Sequence, residues 1–444
     1  MIIRTIVIAV ILLQNVVLLA QPEKVDTITK GKERMKKGWN FGGVPAIAFD
    51  SDIGIQYGLI ASIFNYGDGK IYPRYKHSIY AEWSRTTKGS GVNQIKYDSE
   101  FLIPKIRFNA DLGYFTEQAL YFYGFNGYES FYNADYENSN SSNYNSTKMF
   151  YRIDRKLTRL KFDFQGNIVD RKLRWILGYT YFNNRIGRVN FDQLNKGKSE
   201  SDKLKDTTLL YDNYVKWGII PDNQKNGGVA NLFKVGLIYD TRDNEPNPMK
   251  GIWTEAMLWF APSFADNRFS FTKLVVTHHQ YFTLKKEVLN LAYRISYQAK
   301  IAGEMPFYML PFIFNSTTIR DGLGGGKTIR GVLRNRVVGE DMLYGNIEIR
   351  WKFLRMVKFN QNFYFAVAAF TDAGKVTGKY HYNTLNSDAI AYLNQGSSES
   401  WHQSYGAGLY GAMNQNFIVS LNYGLAADAR DGSNGLYIGL DFLF

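Results

Sequence analysis

Hydrophobic and polar side chains alternate along many segments of the chain. In the last segment the apolar side chains occupy the even positions Leu436, Ile438, Leu440, Phe442 and Phe444. Another segment has the apolar series Leu343, Ile347, Ile349, Trp351 and Phe353, and a third has Leu289, Leu291, Tyr293, Ile295 and Tyr297. The positions between them carry charges such as Glu348, Arg350 and Arg294. A period of two predicts β-strands with one apolar face and one polar face.

The alternation recurs along the whole chain after residue 50, and this repetition is what indicates a membrane barrel. A soluble antiparallel sheet also alternates, so one strand alone would decide little. We predict strands near 52–64, 74–86, 91–102, 105–116, 120–128, 148–166, 171–188, 229–241, 250–262, 268–284, 288–303, 341–355, 361–375, 402–413, 415–427 and 434–444. The fold class is therefore all-β, a transmembrane antiparallel β-barrel of about 16 strands at 51–444, as in bacterial outer membranes.

The lengths of the connections predict an orientation. If both chain ends face the periplasm, the longest gaps fall outside the cell, namely 129–147, 189–228, 304–340 and 376–401. Short connections then fall in the periplasm, such as Thr87 to Gly91, Lys285 to Glu287 and Met413 to Asn416. Long loops outside and short turns inside are typical of outer-membrane barrels.

The first fifty residues divide into two predicted segments. Residues 1–20 combine a positive Arg4 with an apolar stretch, which predicts a secretory signal peptide cut before Gln21. An uncleaved membrane anchor is the alternative, although no stop-transfer pattern follows. Residues 21–50 are too few for a folded domain, so we expect a short periplasmic segment with Gly42-Gly43-Val44-Pro45 as a turn into the barrel.

Composition and charge narrow the class of protein. The sequence is 16% aromatic, with 32 Tyr and 31 Phe, and Tyr is favoured at membrane interfaces. It contains no cysteine, which excludes disulfides, thiol catalysis and a cysteine-linked lipid anchor. The formal net charge is +13. For an exported protein we expect outer-membrane lipids rather than nucleic acid as the counterpart. A cluster before the first strand either contacts lipid phosphates or is a solvated segment: Lys30, Lys32, Arg34, Lys36 and Lys37.

Four segments, in order, carry a resemblance to a known family. They are Phe122-Tyr123-Gly124-Phe125-Asn126-Gly127, then Tyr239-Asp240-Thr241-Arg242-Asp243 with Pro248 and Gly251, then Ile329-Arg330-Gly331, and lastly Phe370-Thr371-Asp372-Ala373-Gly374. Together with Phe444 they resemble the bacterial surface antigen superfamily of BamA/TamA-like outer-membrane barrels. The chain resembles a short form without the periplasmic polypeptide-transport-associated domains. The first segment departs from the family pattern, because Asn126 precedes its second glycine.

The resemblance implies that 304–340, the sixth extracellular loop, folds into the barrel. Its Ile329-Arg330-Gly331 motif would then meet a receiving strand that contains Phe370, Asp372 and Gly374. A buried charge needs a partner, and an arginine fork matches a carboxylate at two points. The alternative is a flexible surface loop with an incidental Arg-Gly pair.

Two other groups of residues complete the predicted site. The resemblance makes Tyr239, Asp240, Arg242, Asp243, Pro248 and Gly251 a periplasmic turn motif, whose main role we expect to be structural. Phe442 and Phe444 are predicted to belong to the terminal strand.

Enzymatic activity is not expected, and neither is a cofactor or a metal. The sequence has no G-x-S-x-G motif, and its five histidines are scattered: His77, His278, His279, His381 and His402. Gly326-Lys327-Thr328 ends like a phosphate-binding loop, but Asp321 stands where the leading glycine is required.

Three functions follow from these features. The resemblance favours a barrel that helps insert or translocate outer-membrane or exported client proteins, and we expect a separate periplasmic or outer-membrane partner protein. A pore or transporter for small solutes is the first alternative, with Arg294, Lys300, Glu348, Arg350 and Lys352 lining its lumen. A structural or lipid-organising barrel is the second.

Overall fold

The structure is a computed structural model that describes residues 36–45, 48–50, 54–72, 74–87, 89–145, 147–245, 247–265, 267–358, 361–384, 386–413 and 417–444. The predicted signal peptide and residues 21–35 lie outside the described residues.

The described residues form an antiparallel sheet of sixteen strands in chain order. The first strand, β1, runs over Trp39–Pro45 and Ala48–Asp50, and both pieces pair with the next strand in one register. The others are β2 Gly54–Asn65, β3 His77–Thr86, β4 Ser90–Ile103, β5 Ile106–Tyr121, β6 Arg152–Val169, β7 Leu173–Gly187, β8 Gly227–Asp240, β9 Gly251–Ala261, β10 Phe271–Lys285, β11 Leu289–Gly303, β12 Asp341–Lys358, β13 Gln361–Gly378, β14 His402–Met413, β15 Phe417–Ala426 and β16 Asn434–Leu440.

Each strand pairs with its neighbours along the chain, and the first strand also meets the last. Between β1 and β16 the described residues form two pairs, Phe49 with Ile438 and Asp50 with Tyr437. By comparison, β15 and β16 share seven pairs. We call the short contact between β1 and β16 the seam.

The two faces of the sheet match the predicted alternation. Ile347, Ile349 and Trp351 are 51%, 42% and 51% exposed on the outer face, where lipid would cover them. Glu348 and Arg350, between them, are fully buried on the inner face. The apolar face is therefore turned to the membrane and the charged face to the lumen.

Successive connections alternate between the two ends of the sheet because neighbouring strands are antiparallel. Among connections with described residues, the long-loop side holds 87–89, 122–151, 188–226, 262–270, 304–340, 379–401 and 427–433. The short-turn side holds 66–76, 104–105, 170–172, 241–250 and 286–288. Three short helices lie in the long loops: α1 Phe191–Asn195, α2 Leu210–Lys216 and α3 Ser387–Leu393. Within the described part of the chain, every helix is too short or too polar to cross a bilayer.

The sheet begins earlier than predicted. Residues 39–50 were assigned to the periplasmic segment 21–50, with Gly42 to Pro45 as a turn, whereas they form β1. The glycines and the proline resemble turn residues. Proline is nevertheless tolerated in a strand whose second edge is largely unpaired, and β1 is such a strand beside the seam.

One strand, β1, was not predicted, but two predicted strands proved to be one, so the total of sixteen is unchanged. The two strands predicted at 105–116 and 120–128 are one strand, β5, with a register shift between Glu117 and Leu120. A bulge of this kind interrupts the alternation, which made one strand look like two. Because the early strands were miscounted, Thr87 to Gly91 lies on the long-loop side rather than on the short-turn side.

The last strand ends earlier than predicted. We expected it over 434–444, but β16 ends at Leu440. Asp441 follows with φ +67°, and Phe442 and Leu443 are buried. The alternation of apolar residues continues to Phe444, although the backbone leaves the sheet at Asp441.

Candidate functional site: the loop inside the barrel

Residues 304–340, which we call the inner loop, lie inside the barrel and contact inward-facing side chains from many strands. Apolar side chains along it are buried, among them Met309, Phe314, Leu323, Ile329 and Val337. Its backbone carbonyls accept hydrogen bonds from Lys161 on β6, Lys234 on β8, Gln298 on β11 and Asn346 on β12. The loop is therefore held by the wall of the barrel.

Arg330 is the most heavily paired residue of the inner loop. Its Nε and Nη2 each donate to one oxygen of Asp372 at 2.9 Å, and its backbone N–H donates to Asp372 Oδ2 at 3.0 Å. Its Nη1 lies 2.7 Å from Glu348 Oε1, and Arg350 donates to the other oxygen of Glu348 at 2.7 Å. The guanidinium carbon stands 3.4 Å from the centre of the Phe370 ring. This geometry combines a bidentate ion pair with a cation–π contact.

The small and apolar residues of the two motifs allow this approach. Gly331 has φ +95°, and a Cβ there would stand 2.7 Å from the carbonyl carbon of Gly424 on β15. A Cβ on Gly374 would stand 2.7 Å from Cδ1 of Ile329, which is fully buried. Only glycine leaves room for the loop at these two positions.

A second set of ion pairs holds the inner loop to β5 and β6. Arg155 donates from Nη1 and Nη2 to the two oxygens of Asp321, at 2.9 and 2.6 Å. Its Nε donates to Glu117 at 2.7 Å, and Arg334 of the loop donates to Glu117 and Asp321. Two arginines and two carboxylates thus form one closed network.

A third anchor holds the loop backbone near Ser316. The Ser316 N–H donates to Glu255 on β9 at 3.0 Å. Its carbonyl accepts from Lys161 and Lys234, at 3.2 and 3.3 Å. Both ammonium groups also lie within 2.9 Å of Asp163, which is fully buried.

Sequence reasoning missed these two anchors. The residues on β6 had a partial signal, since Arg155, Arg159, Lys161 and Asp163 share one parity and the opposite face is apolar at Leu160, Phe162 and Phe164. That pattern places the charges in the lumen. It does not say that Ser316 or Asp321 would meet them, because a loop has no periodicity from which its position could be predicted.

The turn motif forms a self-contained structure on the short-turn side. Arg242 donates from Nε and Nη2 to the two oxygens of Asp240, at 2.9 Å each. Asp243 accepts from the backbone of Met249 at 2.9 Å, which closes the turn. Gly251 has φ +107°, and a Cβ there would stand 2.4 Å from the Thr241 carbonyl oxygen.

The remaining two motif residues lie at the ends of this turn. Pro248 is buried, and its carbonyl accepts from Asn290 at the start of β11. Tyr239 is 43% exposed on the outer face of β8.

The same turn reaches back to β5 through Glu245. Arg107 donates to Glu245 Oε1 at 3.1 Å and to Asp98 Oδ2 at 2.7 Å. The positive charge of Arg107 is the main cause that lowers the pKa of Glu245 to about 2. This ion pair joins turn 241–250 to a strand on the other side of β6 and β7.

Phe442 and Phe444, predicted to lie in the terminal strand, occupy the lumen instead. The ring of Phe442 stacks on Tyr410, with 4.4 Å between centroids, and Arg350 stands 4.4 Å above it. The Phe444 carbonyl accepts from Arg350 Nη2 at 3.0 Å. The end of the chain therefore contacts the arginine that supports Glu348.

The long loops 122–151, 188–226 and 379–401 pack together over the inner loop, and we call them the dome. Their aromatic rings make its core: Phe125 lies 4.8 Å from Tyr380, and Trp217 lies 5.4 Å from Tyr392, between ring centroids. The predicted strand segment 122–127 belongs to this dome.

His402, at the start of β14, fastens the dome to the neighbouring loops. Its Nδ1 lies 2.6 Å from Asp431, and its Nε2 lies 3.2 Å from Glu399. Tyr128 stacks on the imidazole with 3.9 Å between centroids and donates to Asp431. Residues from three long connections, 122–151, 379–401 and 427–433, therefore meet at one buried imidazole.

Comparisons with known proteins were made for sequence and for fold. The Omp85 superfamily domain matches residues 84–442. The comparison with curated proteins found no match. Among solved structures, BamA from Haemophilus ducreyi lacking POTRA domains 1–3 is similar with a TM-score of 0.50 and 16% identity, over 93% of this chain and 71% of that one. CdiB from Escherichia coli is similar with a TM-score of 0.53 and 11% identity, over 92% of this chain and 63% of that one. At these identities the two structures bear on the fold alone.

Proposed function

The chain belongs to the Omp85 superfamily of outer-membrane β-barrels, and on that premise we propose that it inserts or translocates client proteins at the outer membrane. The clients are outer-membrane or exported proteins. The long-loop side faces the outside of the cell, and the short-turn side faces the periplasm.

The seam is the observation that carries this proposal. Two described residue pairs join β1 to β16, whereas β15 and β16 share seven, so the described contact between the edges of the first and last strands is short. Such an edge can pair with an incoming strand, which reduces the cost of bringing polar backbone into lipid. The inner loop is held mainly by β5, β6, β12 and β13, and it also reaches β16, where the Gly331 N–H donates to the hydroxyl of Tyr437. We propose that the seam parts while the walls held by these ion pairs keep their shape.

A separate periplasmic protein would deliver the client to the seam. On the short-turn side, the part of the chain that the structure describes has turns and no folded unit that could capture an unfolded polypeptide. This supports a division of labour between the barrel and a partner.

The alternative of a solute pore has less support. The lumen residues that suited it are engaged or buried: Arg294 donates to Asn346, Arg350 to Glu348, and Lys300 to Glu340. The inner loop and the dome occupy the space that a pore needs. Steady conductance of the wild-type protein in planar bilayers, raised by deletion of 320–332, would favour the pore after all.

Depletion of the protein, followed by quantitative comparison of the outer-membrane proteome, tests the proposed activity. A selective fall in other barrels or exported proteins, with their messages unchanged, is the expected result. An unaltered proteome would rule out this activity and turn attention to a structural or lipid-organising role.

A reversible lock across the seam tests the mechanism. Because the chain has no cysteine, Phe49→Cys with Ile438→Cys introduces one cross-strand pair at the seam. The oxidised variant should lose client insertion and regain it on reduction. Leu409→Cys with Leu421→Cys, a cross-strand pair between β14 and β15, is the matched control and should remain active when oxidised. Equal activity of the two oxidised variants would show that the seam need not open.

A further inference from the structure

Three turns on the short-turn side carry a concentration of positive charge. They are the connections 66–76, 104–105 and 170–172, which lie beside one another because β2 to β7 are consecutive in the sheet. Lys70 of the first turn pairs with Asp68 of the same turn at 3.2 Å. The other cations of the three turns, which we call the basic turn patch, are Arg74, Lys76, Lys105, Arg171 and Lys172. All except the half-buried Lys76 are exposed.

The carboxylates near the patch do not neutralise it. Glu100 accepts from Arg171 at 2.6 Å and lies 3.6 Å from Arg74 Nη1. Asp170 is exposed in the same turn as Arg171. Two carboxylates thus face five cations, and among the described residues the ion pairs leave Lys105 and Lys172 without a carboxylate partner.

The patch borders directly on apolar surface. Phe101, Leu102, Ile168 and Val169 are 44%, 51%, 51% and 55% exposed at the same ends of β4 and β6. The ammonium of Lys76 stands 5.5 Å from the centre of the Phe101 ring. Exposed hydrocarbon next to cations on long side chains is the arrangement that suits an acyl chain below a phosphate.

On the long-loop side, positive and negative charges are nearly balanced in the most highly charged loop, 188–226. In 188–226, Arg188 pairs with Asp206 and Asp212, and Lys203 pairs with Glu200. Lys196, Lys198 and Lys205 are exposed there among Asp192, Glu200 and Asp202. The unbalanced positive charge therefore belongs to one leaflet's side of the barrel.

We propose that the basic turn patch binds the phosphate group of an anionic phospholipid in the leaflet next to the short turns, with the acyl chains against Phe101, Leu102, Ile168 and Val169. The proposed lipid site lies on the outer wall of the barrel. It does not depend on client insertion, and failure of one does not imply failure of the other.

Lipid retention in nanodiscs tests the site directly. The full chain is reconstituted in phosphatidylcholine with and without phosphatidylglycerol, then released in detergent for native mass spectrometry. The wild type should retain phosphatidylglycerol in preference to phosphatidylcholine. The triple variant Arg74→Gln, Lys105→Gln, Lys172→Gln should lose about fivefold in this preference for each cation removed, which corresponds to about 1 kcal/mol each.

A matched variant separates the patch from net charge. Lys196→Gln, Lys198→Gln, Lys205→Gln removes the same charge from the long-loop side, and should keep the wild-type preference. Heat-dependent gel mobility verifies that both variants are folded. Equal retention of the two lipids by the wild type, or equal loss in both variants, would overturn the proposal. An acidic periplasmic protein that binds the patch in phosphatidylcholine discs, without any lipid preference, would also overturn it.

Discussion

Two regions of the barrel wall differ in the partners of the polar side chains on their inner faces. In β6 to β13, the anchored half, charged side chains are buried and pair with the inner loop or with each other, as Lys234, Arg350 and Asp372 do. In β1 to β4, the seam half, inner side chains such as Gln56, Tyr80 and Glu82 are half-buried and bond among themselves.

The longest strands lie in the anchored half. Strands β6, β12 and β13 each have 18 residues, although β9 in the same half has 11, and in the seam half β3 has 10 and β4 has 14. The inner loop supports the anchored half and also reaches β16, where the Gly331 N–H donates to the Tyr437 hydroxyl, whereas inner side chains of β2 to β4 bond among themselves. The opening proposed for the seam is compatible with a stable barrel because the buried ion pairs lie in other strands.

The largest expected effect comes from removing the central anchor. Arg330→Ala leaves Asp372 and Glu348 buried with fewer partners, and breaking such a pair costs about 3–5 kcal/mol. We expect the compact form on gels to be lost at a clearly lower temperature. Arg355→Ala, which breaks the exposed pair with Glu287, should change the transition by less than about 1 kcal/mol. If Arg330→Ala lost the compact form at the same temperature as the wild type, the ion pairs of Arg330 would not stabilise the anchored half.

The anchor at Ser316 should contribute less. Glu255→Ala leaves the buried Ser316 N–H without its acceptor, which costs about 1–3 kcal/mol. Glu255→Gln keeps an acceptor oxygen for the Ser316 N–H, so it should lower the free energy of unfolding by less than Glu255→Ala does. Urea unfolding in lipid vesicles, followed by tryptophan fluorescence, measures both. If the two variants were equally destabilised, the carboxylate charge and not the hydrogen bond would be the source of stability.

Hydrogen exchange compares the two halves without any substitution. Backbone amides of β1 to β3 should exchange about tenfold or more faster than those of β8 to β12 in the same nanodisc, because local opening needs fewer contacts to break. Mass spectrometry of peptic fragments resolves the strands. Uniform protection around the barrel would contradict the division into two halves.

The smallest effect concerns the pair between Arg107 and Glu245. The pKa of Glu245 is lowered by Arg107 to about 2, so its contribution is present above the ordinary value near 4.5 and is lost as the pH falls from there toward 2. Because the carboxylate is half-exposed, solvent screens the pair and the loss should stay below about 1 kcal/mol. Unfolding of wild type and Glu245→Gln should converge as the pH is lowered through this range. A constant difference would mean that the charge does not matter.

The fold was largely predictable because a barrel strand has a period of two. The faces of β11 and β12 follow from alternation alone, as the burial of Arg294 and Glu348 shows. The errors lie where the period is broken or disguised: the bulge near Glu117, the Gly-Gly-Val-Pro stretch in β1, and the backbone turn at Asp441.

The candidate site was predictable only through its motifs. Arg330, Asp372 and Phe370 came from a resemblance, and the structure brings them together. The loop residues Ser316 and Asp321 gave no comparable signal, since a loop residue's partner depends on the path of the whole loop. The dome was missed for a related reason. Its tyrosines and phenylalanines, such as Tyr214 and Phe125, were counted toward the membrane interface although they form a core between loops.

The position of the inner loop also constrains the order in which the chain can fold. The loop lies within the ring of strands and under the dome, with ion pairs to β5, β6, β12 and β13. If the barrel and the dome formed first, the inner loop would have to enter a lumen that the dome already covers before its ion pairs could form. The hairpins must instead wrap around the loop as it docks, which lets local contacts form before the distant ends of the chain meet. We therefore expect the pairing of β1 with β16, between residues at opposite ends of the sequence, to form last in assembly and to open first on heating.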